Sequence, residues 1–231
     1  MRPISFVSLL AVPVVACSEP DTHVQAAEVS WMEWPAEVPA ATTFTVRLAG
    51  YGASCVEVVK FVTTPTVDQS AVTFEPYYLV TGRPGPCPLD ATRQDGAAAP
   101  SLIVAPFFDT RADVPGLDAE YPRTYEIRAG TNVYVPNGLA SALPIRTFGD
   151  VTVRTAQVET GRINAGGRAT AVRDSLGCVT LFPNAVHPGY VIENPPADTA
   201  QYWYGFVRGY IYEPAAPICG ESKVFHLVTR N

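Results

Sequence analysis

The sequence has few positive charges and no cluster of them. It contains 16 lysine and arginine residues against 22 aspartate and glutamate residues, which gives a formal net charge of −6 at pH 7. Lysine occurs only at Lys60 and Lys223. Nucleic acids and anionic lipid surfaces attract proteins over long range through clustered cations. The sequence therefore predicts no nucleic-acid partner.

The sequence also lacks an apolar run long enough to cross a bilayer. The apolar run at the N-terminus, residues 4–15, is about 12 residues long, whereas a spanning helix needs about 20. Pro3 and Pro13 make it a poor helix at both ends. No later stretch sustains helical spacing for three turns. We therefore expect no permanent transmembrane helix.

This N-terminal run has the marks of a secretory signal, since Arg2 precedes it and a small residue follows it. It ends in Val14-Val15-Ala16-Cys17, which resembles the lipobox of bacterial lipoproteins. The resemblance implies a signal peptide at residues 1–16, lipidation of Cys17 with acyl chains such as palmitate, and a polar lipidated tether over residues 17–28. The alternative is ordinary secretion with a cut near residues 24–26, which would discard Cys17.

The same resemblance predicts the location. The mature protein would lie in the bacterial cell envelope, with the membrane as a partner through the lipid anchor. In a Gram-negative cell, Ser18 in place of Asp after the cysteine implies the outer membrane rather than the inner membrane.

No cysteine pair has C-x-x-C spacing, and the three histidines are scattered, so we expect no metal site and no cofactor. In an oxidising compartment the other four cysteines predict two disulfides. Three pairings are possible, and the sequence favours the two that join neighbours along the chain. These pairs are Cys55–Cys87 and Cys178–Cys219.

The apolar pattern has mostly period two, which predicts an all-β protein. In residues 43–48, for example, Phe44, Val46 and Leu48 alternate with polar residues. We expect an N-terminal immunoglobulin-like β-sandwich over residues 29–158 and a small C-terminal β-barrel, or second small β domain, over residues 159–231. One continuous sandwich is the alternative.

An aromatic row stands out in residues 202–212. If this segment is a strand, Trp203, Val207 and Ile211 point to the core, and the opposite face forms the row. The row consists of Tyr202, Tyr204, Phe206, Arg208, Tyr210 and Tyr212. Such a row can bind a ligand or a partner protein, dock another domain, or lie under a loop.

Catalytic signals are weak. Ser175 lacks the first glycine of the G-x-S-x-G motif, and the pattern around His226 favours a structural role. We therefore expect a non-enzymatic binding or structural protein of the envelope, with an envelope protein or a glycan as a possible partner. One alternative is a carbohydrate- or peptidoglycan-binding module that uses the aromatic row. The other is a secreted hydrolase, with His226 or His187 near Ser175 or another nucleophile.

Overall fold

The computed structural model describes residues 22–51, 57–81, 107–118, 123–132, 142–183, 188–197 and 202–231. Within these ranges the protein is all-β, as predicted, and no helix there is long and apolar enough to cross a bilayer. The strands in these ranges are β1 (Thr22–Ala26), β2 (Glu28–Pro35), β3 (Glu37–Pro39), β4 (Phe44–Tyr51), β5 (Glu57–Val62), β6 (Pro65–Val67), β7 (Ala71–Phe74), β8 (Tyr77–Thr81), β9 (Phe107–Val114), β10 (Arg123–Asn132), β11 (Ala142–Arg154), β12 (Ile163–Arg173), β13 (Val179–Phe182), β14 (Tyr190–Glu193), β15 (Tyr202–Tyr212) and β16 (Val224–Arg230).

The C-terminal region is a closed barrel of five strands, which confirms the predicted small β-barrel. The strands follow the order β12, β13, β14, β16, β15 and return to β12. Strands β14 and β16 are parallel, whereas the other neighbours are antiparallel. Val207 and Ile211 of β15 are buried in this barrel, as alternation predicted.

The barrel strands are strongly staggered. The stagger appears when the paired residues are followed once around the barrel. Ile163 on β12 pairs with Ile211 on β15, which pairs with Phe225 on β16, and Phe225 pairs with Ile192 on β14. The next strand, β13, pairs with β12 again at Arg173, at the other end of β12. A stagger of this kind tilts the strands against the barrel axis. The two ends of β12 therefore lie at different ends of the barrel wall.

We call one of these ends the turn end. It carries Arg173, the β12–β13 turn over residues 174–178, and Tyr202, which is registered with Val172. The opposite end carries Ile163 and Tyr212.

The N-terminal region is a half-barrel, and an immunoglobulin-like sandwich is not confirmed. A five-stranded sheet of order β3-β11-β10-β7-β6 faces β2, β4 and β9 across a core that includes Trp34, Val46, Phe74 and Phe148. Two neighbouring pairs in this sheet, β10–β7 and β11–β3, are parallel. Strands β1, β8 and β5 form a small third sheet.

The half-barrel and the barrel share strands β12 and β2. One edge of β12 bonds to β15 along nearly its whole length, while the other edge bonds first to β2 and then to β13. Strand β2 is buried on both faces, because Met32 and Trp34 enter the half-barrel core and Trp31 enters the barrel core. The predicted domain border at residues 158–159 falls between β11 and β12, and residues 22–28 of the predicted tether lie in β1 and at the start of β2.

One predicted disulfide, Cys178–Cys219, is confirmed. It joins the β12–β13 turn to the loop between β15 and β16, with 6.2 Å between the two Cα atoms and a sequence separation of 41. A closed loop of that length stabilises the folded state by about 4 kcal/mol on the chain-entropy account. Cys55 and Cys87 lie outside the described residues.

Substitution of Gly167 tests the packing of the shared strand. This glycine lies where the hydrogen-bonding partner of β12 changes from β2 to β13. Its φ of +150° is rare for L side chains, and a Cβ there would overlap the carbonyl oxygen of Ser30 and lie 2.7 Å from Trp31 Cα. We expect Gly167→Ala to lower the free energy of unfolding by about 2–5 kcal/mol, measured by urea denaturation. The control is Gly161→Ala, where φ is +80° but the space around a Cβ is open, so its loss should be clearly smaller. Equal losses in the two variants would contradict the packing argument.

Candidate functional site

A cleft of about 720 Å³ lies on the outer wall of the barrel near its opposite end. It runs between the segment that precedes β12 and the ends of the β15–β16 loop. Charged, aromatic and small residues line it: Glu159, Thr160, Gly161, Arg162, Ile163, Glu193, Tyr210, Ile211, Tyr212, Glu213, Lys223 and His226. Concave sites with a few fixed polar groups are the usual form of ligand sites in proteins.

A glutamate, a histidine and a tyrosine form the polar centre of the cleft. The parallel register of β14 and β16 pairs Glu193 with His226, and Nδ1 of His226 lies 2.8 Å from Oε2 of Glu193. Because a carboxylate only accepts hydrogen bonds, Nδ1 carries the proton in this bond. The Tyr212 hydroxyl also donates to Glu193. The hydrogen bond from His226, followed by the one from Tyr212, holds the pKa of Glu193 below its usual value of 4.5.

Tyr210 is stacked between two cationic or polar groups. The His226 ring lies 4.6 Å from the Tyr210 ring with 17° between the planes, and Cζ of Arg162 lies 3.8 Å from the Tyr210 centroid. Since β15 lies between β12 and β16, these two partners approach the ring from opposite sides. Tyr210 therefore orients its neighbours and does not offer an open ring face to a ligand.

Arg162 is the cation that is held most firmly in the cleft. It stacks on Tyr210, and its Nη1 lies 3.5 Å from Oε2 of Glu159. Its Nε is buried and has no hydrogen-bond partner. A more exposed ion pair, Lys223 with Glu213 at 3.9 Å, stands at the rim. The cleft thus contains two cation–carboxylate pairs.

The predicted aromatic row is divided into three parts. Tyr210 and Tyr212 belong to the cleft, whereas Tyr202 and Tyr204 near the turn end are 64% and 54% exposed. Between them, Phe206 packs on Phe148 of β11 with 5.7 Å between ring centroids. The row is therefore not one continuous platform.

Arg208, in the middle part of the row, binds the half-barrel. Its Nη2 donates to the carbonyl oxygen of Thr147 at 2.6 Å, and its guanidinium lies 5.7 Å from the Phe206 centroid. Arg208 is thus held by a backbone carbonyl of β11.

The structure does not bring Ser175 to His226. Ser175 lies in the turn beyond the end of β12, whereas His226 is registered with Tyr210, and Tyr210 with Asn164 near the start of β12. The described contacts of His226 are with Glu193 and Tyr210, and Ser175 is not among the residues that line the cleft. His187 lies outside the described residues. Among the residues that line the cleft, Thr160 offers the only aliphatic hydroxyl, and no cluster of metal-binding side chains occurs in the described part of the chain.

A second polar cluster joins the half-barrel to the barrel. Oε1 of Glu33 accepts hydrogen bonds from Trp31 Nε1 at 3.0 Å and from the Tyr190 hydroxyl at 2.8 Å, and Arg47 approaches its other oxygen at 3.5 Å. Arg47 also donates twice to Asp109, at 2.8 and 2.5 Å. Burial raises the pKa of Tyr190, and the carboxylate of Glu33 adds to this. These groups already satisfy one another across β2, β4, β9 and β14, so we assign them a structural role.

Sequence reasoning missed Glu193 and Arg162. Each is an ordinary charged residue next to a strand end, and only the register of β14 with β16 and of β12 with β15 brings them to Tyr210 and His226. Alternation did place His226 on one face with Val224 and Val228; on that face Val228 is exposed, His226 is partly exposed and Val224 is fully buried.

The titration of Tyr212 tests the polar centre. The bond to Glu193, with a smaller effect of burial, raises the pKa of Tyr212 from 10.0 to about 12. This bond therefore stabilises the fold below pH 10 and is lost as the pH rises through 12. We expect Glu193→Gln to lower the Tyr212 pKa towards 10, measured by phenolate absorbance and assigned with Tyr212→Phe. Glu213→Gln, in the same cleft, should leave it unchanged. An unchanged Tyr212 pKa in Glu193→Gln would contradict the described bond.

Comparison with protein-family models, with curated proteins and with solved structures found no match to this chain. A functional proposal therefore depends on the cleft, the exposed tyrosines and the lipobox-like run.

Proposed function

We propose that this chain is a lipid-anchored, extracytoplasmic protein of the bacterial envelope that binds a ligand without catalysis. Acyl chains on Cys17 anchor it, in the outer membrane of a Gram-negative host. The confirmed Cys178–Cys219 bond supports this location, because disulfides persist in oxidising compartments and are rare in the cytosol.

The cleft on the barrel wall is the observation that supports ligand binding. Its central groups are fixed before any ligand arrives: Glu193 holds His226 and Tyr212, and Tyr210 is stacked between His226 and Arg162. Binding to such a site requires little ordering of side chains, and this preorganisation favours affinity.

The ligand that fits this chemistry best is a glycan, peptidoglycan strands included. A sugar presents many hydroxyls that both donate and accept hydrogen bonds. The cleft offers acceptors on its glutamates, donors on Arg162 and Lys223, and groups of both kinds on Tyr212 and His226. The net charge of −6 argues against a nucleic acid.

The strand order of the barrel supports the same ligand class by analogy. Counted from β12, the order is first, second, third, fifth and fourth, which is the Greek-key order of OB-type barrels. Barrels of this type bind oligosaccharides and oligonucleotides on the face of the second and third strands, which is bordered by the loop between the first two strands and the loop between the fourth and fifth strands. In this protein the loop between the fourth and fifth strands joins β15 to β16 and borders the cleft at Glu213 and Lys223, and β14, the third strand, lines the cleft at Glu193. This support comes from the fold alone.

A hydrolase is the second candidate function. The observation that favours it is the His226 imidazole, which a carboxylate orients through Nδ1, as in general-base sites. The described cleft residues supply no serine or cysteine beside it, so we rank binding first.

The anchor predicts a change in fractionation. Cys17→Ala should move the protein from the membrane fraction to the soluble extracytoplasmic fraction, because a chain without acyl groups has no stable hold on a bilayer. Immunoblotting of separated fractions measures this, and Ser18→Ala is the matched control that should stay with the membrane. Retention of Cys17→Ala in the membrane fraction would show that the lipid anchor is wrong.

The glycan proposal predicts a loss of binding that is confined to the cleft. We expect His226→Ala and Arg162→Ala each to weaken retention on purified peptidoglycan roughly tenfold, since each leaves a fixed polar partner without its neighbour. Tyr204→Ala, which alters an exposed tyrosine outside the cleft, is the control and should bind like the wild type.

Three other results of this experiment would change the proposal. Unchanged retention in both cleft variants would contradict the proposed site, and a loss in Tyr204→Ala alone would move binding to the exposed tyrosines. Release of soluble fragments by the wild type, abolished by His226→Ala, would favour the hydrolase.

A further inference from the structure

We propose that the turn end of the barrel rests on the bilayer that holds the lipid of Cys17. Leu176 enters the lipid interface, and Tyr202 and Tyr204 lie at its border. This inference rests on the proposed anchor and adds an orientation and a second contact to it.

The first step is the short reach of the anchor. Five peptide units separate Cys17 from Thr22, where β1 begins. Even fully extended, they span at most about 18 Å. A folded body on so short a connection stays close to the membrane surface, and the side of the body that carries Thr22 must face that surface.

The second step is the direction in which β1 points. The chain passes from β1 into β2 through Ala27 without a turn or bend. Strand β2 is antiparallel to β12, so its first residues lie towards the end of β12. The ion pair between Arg168 Nη1 and Glu28 Oε1, at 3.1 Å, agrees with this direction. The chain therefore enters β2 from the side of the molecule that carries the β12–β13 turn.

The third step is an exposed leucine that is held in place. Leu176, at the tip of the β12–β13 turn, is 87% exposed. Oδ1 of Asp174 accepts hydrogen bonds from the backbone N–H groups of Leu176 at 2.8 Å and Cys178 at 2.9 Å, and the disulfide follows at Cys178. The turn cannot easily fold back to cover the leucine, so the apolar side chain stays directed outward.

The fourth step is the belt around this tip. Val172, at the end of β12, is exposed and pairs with Tyr202, and Tyr204 follows on the same outer face. Tyrosine rings favour the boundary between lipid and water, where the ring contacts apolar groups and the hydroxyl stays hydrated. An apolar tip with a tyrosine border has the order of groups expected for contact with a lipid interface.

The lipid anchor makes this small surface sufficient. One leucine and two tyrosines would bind vesicles only weakly by themselves, but the acyl chains keep them at high local concentration beside the bilayer. In the same orientation Thr160 and Arg162, which precede β12, lie at the end of that strand farthest from the β12–β13 turn, whereas the rim of the cleft at the β15–β16 loop is joined to the turn by Cys178–Cys219.

Quenching of tryptophan fluorescence by lipid tests the orientation. The full lipidated protein with Leu176→Trp is reconstituted into vesicles of phosphatidylethanolamine and phosphatidylglycerol, with and without brominated acyl chains. We expect brominated chains to quench the indole introduced by Leu176→Trp. Thr160→Trp introduces an indole in the cleft, and brominated chains should quench the fluorescence of this variant no more than that of the wild type. Adding Tyr202→Ser and Tyr204→Ser to Leu176→Trp should reduce the quenching.

The experiment distinguishes a wrong orientation from a wrong lipid anchor. A protein that floats with the vesicles but shows equal quenching at positions 176 and 160, or none at 176, would overturn the orientation and leave the anchor intact. A protein that does not float with the vesicles would overturn both, since the inference needs the lipid. Circular dichroism of each variant confirms that it is folded before the vesicles are added.

Discussion

Strand β12 is hydrogen-bonded along both edges, and one of these edges is divided between two partners. Its first half bonds to β2 of the half-barrel, and its second half bonds to β13 of the barrel. The division is possible because Gly167 lets the backbone of β2 approach more closely than any side chain would permit. The barrel, the burial of β2 on both faces and the position of the cleft all depend on this division.

The two polar clusters use similar side chains for different purposes. In the cluster around Glu33, carboxylates, a guanidinium and a phenol from four strands satisfy one another across the junction, which fixes the barrel against the half-barrel. In the cleft, Glu193, His226 and Tyr212 are ordered in the same way but lie in a concave, open surface. The Glu33 cluster also borders a cavity, of about 520 Å³, but its charged groups pair with one another across the junction, and we therefore assign it to the fold.

The sequence allowed the β class, the inward residues of β4, the barrel strands and one disulfide to be predicted, because these features depend on local alternation and cysteine parity. It did not allow β1 to be predicted, since Thr22–Ala26 pairs with β8 through its backbone and needs no apolar alternation. Nor did it allow partners to be assigned to Asp109 and Asp113, which lie in β9 and bond to Arg47 and Thr45 across the pairing of β9 with β4. Glu193 and Arg162 could not be assigned to a site, because long-range register brings them to Tyr210.

The position of β16 has a consequence for the order in which the barrel can form. This strand lies between β14 and β15, although it follows both in the chain, so the barrel stays open until residues 224–230 have emerged. A chain that emerges from its N-terminus during synthesis has β12–β15 present with a gap where the last strand belongs. During that interval Val207, Ile211 and Ile192 lack the cover of Phe225. Exposed apolar edges of this kind attract chaperones and other unfolded chains. The vulnerable period for this protein is therefore the time between the arrival of β15 and that of β16.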